Sequence, residues 1–334
     1  MRRGRPIHTP MSSYTLRAFT SGVAVLAALA VPPTPAAAQD VLTRANSLLA
    51  AGRVFSAETL YYAAVRRTPR DPEARLALGR YLASRGALKV GAVLMEEARF
   101  FGGDAKLVAE SLVPVYERLG EYGALASLPG SPLAYPQRSR AEWLREHPQT
   151  MGGPDSTTVQ LVPSDSRTFG RLRLVIGGDT VVAVLDPRAS GLTLDTAWAR
   201  RKMVRTFASR GERDPQRMVG VVASAQIGEL AINNLAVSFA PLRGAGSALL
   251  GFDLLARLAP TIDPQTGVMM VRREGRVARN LEGTRLPTLV QSGGLWLLRG
   301  DRLVALNSAD GWNLLQGKRW TIDARRGAIV VQTL

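Results

Sequence analysis

Residues 182–191, Val-Ala-Val-Leu-Asp-Pro-Arg-Ala-Ser-Gly, constrain this chain more than any other stretch. A run of β-formers ends in a lone carboxylate, Asp186. A tight segment of small residues follows, and then a second apolar stretch, Leu192-Thr193-Leu194. β-Branched and apolar side chains fit a half-buried pleated surface, so the run reads as a strand that delivers one acid to a loop tip. Just upstream, the apolar segments 172–176 and 181–185 flank Gly177-Gly178-Asp179, which reads as a hairpin turn.

Strand chemistry extends on both sides, from residue 158 onward. Asp195 precedes residues 196–202 and reads as a helix N-cap rather than a catalyst. Residues 219–223, 229–232 and 236–240 read as further strands, with Asn233-Asn234 as a turn signal. Ahead of them, residues 209–216 are charged and exposed, a segment suited to covering a cleft. Ala248-Leu249-Leu250-Gly251-Phe252-Asp253-Leu254-Leu255 reads as a strand entering a glycine and a short helix leaving it. A hairpin containing Ile262-Asp263 closes the unit.

Taken in that order, residues 165–273 resemble a retropepsin-like aspartyl protease domain of the bacterial exported kind. In that family a hairpin leads into Asp-Thr-Gly-Ala-Ser and a mobile flap crosses the cleft. A Leu-Leu-Gly-Met/Phe-Asp segment then closes a ψ-shaped loop behind the acid. The resemblance makes Asp186 the candidate catalytic acid and Ala189, Ser190 and Gly191 its loop. It assigns Leu249, Leu250, Gly251 and Asp253 to the closure and places a flap within residues 211–221. Pro187 and Arg188 stand where the family has Thr-Gly. The family's threonine hydroxyl helps lock two acid loops together, and its glycine lets the backbone approach the shared water. Proline supplies no N–H and no hydroxyl, and arginine adds a cation that favours an ionised Asp186. A working dyad shares one proton between two close carboxylates, which a neighbouring guanidinium opposes. The resemblance with this departure implies a degenerate protease that binds an extended peptide or protein. The alternative is an active aspartic endopeptidase that takes its second Asp from a homodimer mate.

The last 50 residues bear on that second acid. Residues 251–271 and 311–331 align without gaps at an offset of 60, with eight of 21 positions identical, among them Gly251/Gly311, Thr261/Thr321, Ile262/Ile322 and Asp263/Asp323. This looks like the tail of a shortened second lobe. Residues 295–298 and 303–306 around Gly300-Asp301 offer it a hairpin, and the place for its acid falls near Asn307-Ser308-Ala309-Asp310. Asn307 follows its strand much as Asp186 does, but it cannot ionise.

The first half differs in kind. In residues 40–128 apolar positions recur at three and four, the helical period. Gly52, Gly86 and Gly120 are 34 residues apart. Ala57, Ala64, Gly79, Ala92 and Ala98 supply small residues for close helix crossings, and Pro69 supplies a breaker. The pattern resembles tetratricopeptide repeats, which implies antiparallel helix pairs with a concave face for a peptide or protein partner. A helical bundle without repeats is the alternative. Tyr61, Tyr62, Tyr81, Phe100 and Phe101 read as packing residues. The expected fold is an α-helical repeat domain over residues 39–128 and a Pro/Gly-rich linker over 129–157, the latter interrupted by a helical piece at 139–146. An all-β acid-protease domain over 158–275 and a shortened second lobe or C-terminal β extension over 284–334 follow.

Composition sets the address and removes several chemistries. Residues 1–38 carry a basic head, an apolar core at 21–31 and a small-residue end at Ala36-Ala37-Ala38. They read as a secretory leader cut after Ala38, with Met11 as an alternative start, and the core is too short to span a bilayer. Export to a periplasmic or extracellular space is the expectation. The chain has no cysteine, so thiol catalysis and disulfides are excluded. His8 and His147 are the only histidines, too few for a Ser-His-Asp triad or a typical zinc site. The net charge of +16 ordinarily suggests nucleic acid. Export makes an anionic envelope surface the better match. No phosphate loop, metal constellation or cofactor fingerprint is present, so neither a cofactor nor a metal is expected.

Overall fold

A computed structural model describes residues 35–162, 169–214, 217–242, 247–291 and 294–332. The basic head and apolar core of the expected leader, and residues 215–216 of the expected flap, lie outside the described residues. Seven helices come first among those described: α1 (Pro35–Ala50), α2 (Val54–Arg67), α3 (Pro72–Ser84), α4 (Leu88–Phe100), α5 (Ala105–Leu119), α6 (Tyr122–Ala126) and α7 (Tyr135–Glu146). Their boundaries follow local chemistry. Asp71 accepts from the N–H groups of Glu73 at 2.9 Å and Ala74 at 3.4 Å, and Pro72 opens α3 where its missing N–H costs nothing. Asp104 caps α5 through the Leu107 N–H at 3.0 Å. The helix α7 starts ahead of the expected 139–146 piece, because Pro136 is tolerated in a first turn. It lies within residues 129–157, the stretch read as a linker, as does the first strand, β1 (Thr150–Gly152).

The turns between α1 and α2, α3 and α4, and α5 and α6 hold Gly52, Gly86 and Gly120, with φ of 78°, 90° and 73°. These are left-handed positions that favour glycine. Small residues do mediate the α3–α4 crossing: a Cβ on Gly91 would lie 2.7 Å from the Gly79 carbonyl oxygen. The aromatic expectation divides. Tyr61 and Tyr81 are buried with ring centroids 5.2 Å apart, whereas Phe100 is 83% exposed at the end of α4 and Tyr62 is also exposed. Helical periodicity fixes which residues share a face, but not whether a neighbour covers that face.

The β-rich region contains β2 (Ser156–Val162), β3 (Arg171–Ile176), β4 (Asp179–Asp186), β5 (Leu192–Asp195), α8 (Thr196–Arg201), β6 (Arg205–Phe207), β7 (Val219–Ile227), β8 (Leu230–Ala240), β9 (Ala248–Gly251), α9 (Phe252–Arg257), β10 (Thr261–Asp263) and β11 (Val268–Arg272). Strands β3, β4, β9, β5, β8 and β7 are neighbours in that order, and β7 returns to pair with β3, closing a barrel. Inward residues such as Leu172, Leu174, Ala183, Leu185 and Leu250 are almost fully buried. Asp195 caps α8 as expected, accepting from the Trp198 N–H at 2.9 Å. Asn233-Asn234 does not form a turn. Both lie inside β8, Asn234 at φ 53°, while the chain reverses at Gly228 instead. Asparagine tolerates the left-handed region, so the strand absorbs the distortion. Thr150 of β1 pairs beside it with Asn233.

The remaining elements are β12 (Thr284–Gln291), β13 (Gly294–Arg299), β14 (Arg302–Ala305), α10 (Ala309–Leu315), β15 (Arg319–Asp323) and β16 (Ala328–Gln332). The 60-residue echo is a structural one: α9, β10 and β11 correspond to α10, β15 and β16. Strands β10 and β15 pair antiparallel with Thr261 opposite Thr321, two positions 60 residues apart, and their hydroxyl oxygens are 2.8 Å from each other. Equivalent residues facing each other across an antiparallel pair define a local two-fold axis. The aromatic residues at the matched positions Phe252 and Trp312 both pack on Phe169, at 5.4 and 5.0 Å between centroids.

The helices dock on this β-rich region through the turn glycines. A Cβ on Gly52 would lie 2.8 Å from the Asp301 carbonyl oxygen, and one on Gly86 would collide with the Ala324 carbonyl. A Cβ on Gly120 would lie 3.4 Å from an Arg257 nitrogen. Arg85 donates to the carbonyls of Thr288 and Gly327, and Leu298 of β13 is buried with the core residues of α1 to α3.

Two consequences are measurable. Gly102→Ala, at φ 87° with nothing near its missing Cβ, should cost only the left-handed strain of ~1–2 kcal/mol. Gly86→Ala should cost a further ~1–3 kcal/mol from overpacking against Ala324, seen as a lower urea midpoint. The second concerns acid. Burial raises the Asp263 carboxyl, but the N–H groups of Thr266 and Gln265 together with Arg319 outweigh it and hold the group below its usual 3.8. That stabilisation is complete above the unfolded value and is lost as pH falls through the folded one. Asp263→Asn should therefore flatten the acid limb of a stability–pH profile.

Candidate functional site

Asp186 sits at the C-terminal end of β4, where the parallel partner β9 places Gly251 opposite it. Strand β9 also pairs antiparallel with β5, so it lies between the two strands that the acid loop connects. The loop from β4 to β5 therefore straddles the end of β9, and the arrangement is ψ-shaped. Gly251 is required there, because a Cβ would collide with the Ala189 carbonyl. The Gly251 N–H donates to the Gly191 carbonyl at 2.7 Å. Leu250 faces the barrel core and Leu249, alternating, is only partly covered.

Asp253, one residue into α9, holds the loop from behind. Its Oδ2 accepts from the Ser190 hydroxyl at 2.7 Å, and its Oδ1 accepts from the Gly191 N–H at 2.6 Å and the Leu254 N–H at 2.7 Å. Gly191 takes φ 62°, which turns the chain into β5. The sequence pattern placed Asp253 in the closure; the three donors it gathers were not visible there.

Asp186 itself makes local contacts. Its Oδ1 accepts from the Arg188 N–H at 2.9 Å and lies 3.4 Å from Arg188 Nε. The residue two beyond the acid thus still contributes an N–H, although it is arginine rather than glycine. Pro187 between them has none to give. The Arg188 side chain is 71% exposed, so the ion pair is screened and worth at most ~1 kcal/mol. Among the described residues, no second carboxylate is hydrogen-bonded to Asp186.

Among the described residues of the last strands and α10 no equivalent loop stands. After β14 the chain passes through Leu306-Asn307 and enters α10 directly. Ser308 caps that helix, accepting from the Gly311 N–H at 3.1 Å and donating to the Ala305 carbonyl at 2.7 Å. Asn307 and Asp310 are exposed. Gly311 repeats the role of Gly251, since its Cβ would collide with the Ala305 carbonyl. The expected flap region begins in the β6–β7 hairpin, where Phe207 pairs with Val219. Among the described residues no group of His, Asp and Glu is placed to hold a metal ion. His147 is exposed and stacks on Trp143 at 4.2 Å.

No family model matches the chain, and no curated protein matches it. Among solved structures, a retropepsin-like aspartic protease from Rickettsia conorii is similar at 15% identity and a TM-score of 0.26, over 37% of this chain and 91% of that one.

The anchoring pattern separates two kinds of substitution. Asp253→Ala leaves three donors without their acceptor and should lower unfolding stability by ~2–4 kcal/mol. Arg188→Ala removes only an exposed pair and should change it by less than ~1 kcal/mol. Urea denaturation of the two variants checks both. The chain is an all-helical region followed by a β-rich barrel in which the Asp186 loop straddles the end of β9 in a ψ-shaped arrangement.

Proposed function

We propose that this is an exported pseudoprotease, a peptide- or protein-binding module of retropepsin-like fold braced by tetratricopeptide-like helix pairs. The observation that carries the reading is the pairing of β10 with β15 within one chain. Acid hydrolysis of a peptide bond needs two carboxylates around one water, one acting as base and one as acid. The local two-fold axis at Thr261 and Thr321 is filled by the chain's own second lobe. That lobe offers Asn307 and a capped helix where an acid loop would stand. A homodimer mate supplying Asp through the same strands would have to displace β15 from β10.

Binding has material to work with. Strands β6 and β14, at the two ends of the strand order, retain edges to which an extended peptide can be added. On α4, Val90, Val93 and Phe100 are exposed and give the helical region an apolar surface for a second contact. The basic charge suits an anionic envelope surface better than nucleic acid in an exported protein.

A broad peptide library incubated with the protein from about pH 3 to 7 tests the catalytic side of this reading. The expected result is no cleavage above background, the same for Asp186→Asn, and a monomeric mass in solution. Restoring the family motif with Pro187→Thr and Arg188→Gly should still give no activity, because the second acid is missing. Cleavage that disappears in Asp186→Asn and is blocked by pepstatin would show instead an active endopeptidase.

A further inference from the structure

A polar cavity of about 100 Å³ lies where the helices meet the barrel, directly behind the acid loop. Its charged lining comes from α5 (Glu117, Arg118), α7 (Arg140) and α9 (Asp253, Arg257). Three guanidinium groups face two carboxylates there, which leaves one positive charge uncompensated. The carboxylates are already committed. Glu117 pairs with Arg140 Nη2 at 3.1 Å, and Asp253 holds Ser190, Gly191 and Leu254. Arg140 is buried, donates its Nη1 to the Val237 carbonyl at 3.2 Å, and leaves its Nε without a partner.

Arg118 and Arg257 are different. Among the described residues, neither has a carboxylate within salt-bridge distance. Arg118 donates only to the Ala83 carbonyl, at 3.3 Å. Arg257 meets the amide oxygen of Gln149 at 3.1 and 3.2 Å once that amide is turned toward it. Burial lowers both guanidinium groups from their usual value, yet arginine keeps its proton in proteins. Two half-buried cations whose hydrogen-bond acceptors are neutral, with Asp253 as a shared opposing charge, are costly, and an anion between them offsets that cost. Apolar side chains from β5, β8 and α9 (Leu192, Leu235, Leu254) complete the wall and leave room for a short hydrocarbon tail.

We propose that this cavity binds a small aliphatic monocarboxylate, with its oxygens on Arg118 and Arg257. The single surplus charge matches a monoanion better than the dianionic phosphate. Planar guanidinium groups match a carboxylate's two oxygens. The site shares Ser190, Gly191 and Asp253 with the back of the acid loop, so an occupant touches the segment that carries Asp186. The assignment stands whether or not Asp186 retains chemistry.

Calorimetric titration of propionate into the full chain, at constant ionic strength and near-neutral pH, tests it. The expected result is saturable one-to-one binding of propionate, none of the neutral propionamide, and weaker binding of inorganic phosphate. Arg118→Gln and Arg257→Gln should each weaken propionate about tenfold or more, whereas Arg210→Gln on the exposed surface should leave it unchanged. Circular dichroism checks that the variants are folded, and the wild-type comparison of the three probes stands without them. Absence of saturable propionate binding, equal binding of propionamide, tighter binding of phosphate, or folded Arg118 and Arg257 variants that bind like wild type would each overturn the proposal.

Discussion

The pairing of Thr261 with Thr321 is the contact on which the β-rich region depends. Thr321 is fully buried, and each hydroxyl gives the other its partner, so neither is left unsatisfied in the core. A cross-strand threonine pair is worth only ~0.2–1 kcal/mol by itself. Its larger effect is to set the register of β10 against β15. That register brings Trp320 alongside Phe252, with ring centroids 6.2 Å apart and nearly parallel, and merges the two lobes into one core. The symmetry stops at the charges. Asp263 of the first lobe is held by Arg319 of the second, at 2.8 Å, while Asp323 is held by Arg326 and Arg285. Position 259, which matches Arg319, is alanine. The lobes are therefore tied by an ion pair that runs in one direction only.

The helices lean on this paired core, and their 34-residue glycine spacing serves two constraints at once. Each glycine ends a helix in the left-handed region, a local demand that its spacing announces. The same residues also lie against the β-rich region, Gly52 at the β13–β14 turn, Gly86 at the turn before β16 and Gly120 beside α9. Spacing reports backbone conformation and says nothing of what stands opposite. The helix ends were therefore legible in the sequence while their use as a docking edge was not. Phe100 shows the same limit from the other side. Its helical position was readable, but its exposure depends on the absence of a further layer over α4.

The candidate site was legible where its signals are local. A strand ending in Asp186, the obligate glycine at 251 and the order of the closing segment all leave marks within a few residues of each other. So did the hairpin around Gly300-Asp301. The charged groups behind the loop left no such mark. Glu117, Arg118 and Arg140 lie on helices where charges ordinarily face water, and only the fold brings them against Asp253 and Arg257. Asn233-Asn234 misleads for a related reason. The pair carries a turn's composition, but the neighbouring strands hold it inside β8 and confine the departure to one residue's φ.

The position of the Asp186 loop follows from where that loop is held. Gly251, Gly191 and Asp253 fix its position through three hydrogen bonds and a close backbone approach. Asp186, Pro187 and Arg188 contribute only a local turn and a screened ion pair to that anchoring. Replacing Arg188 therefore removes a screened ion pair while leaving the loop in place. Replacing Asp253 would do the reverse. The contacts that fix the shape of this segment thus gather at Gly191, Gly251 and Asp253, apart from the carboxylate that the segment carries.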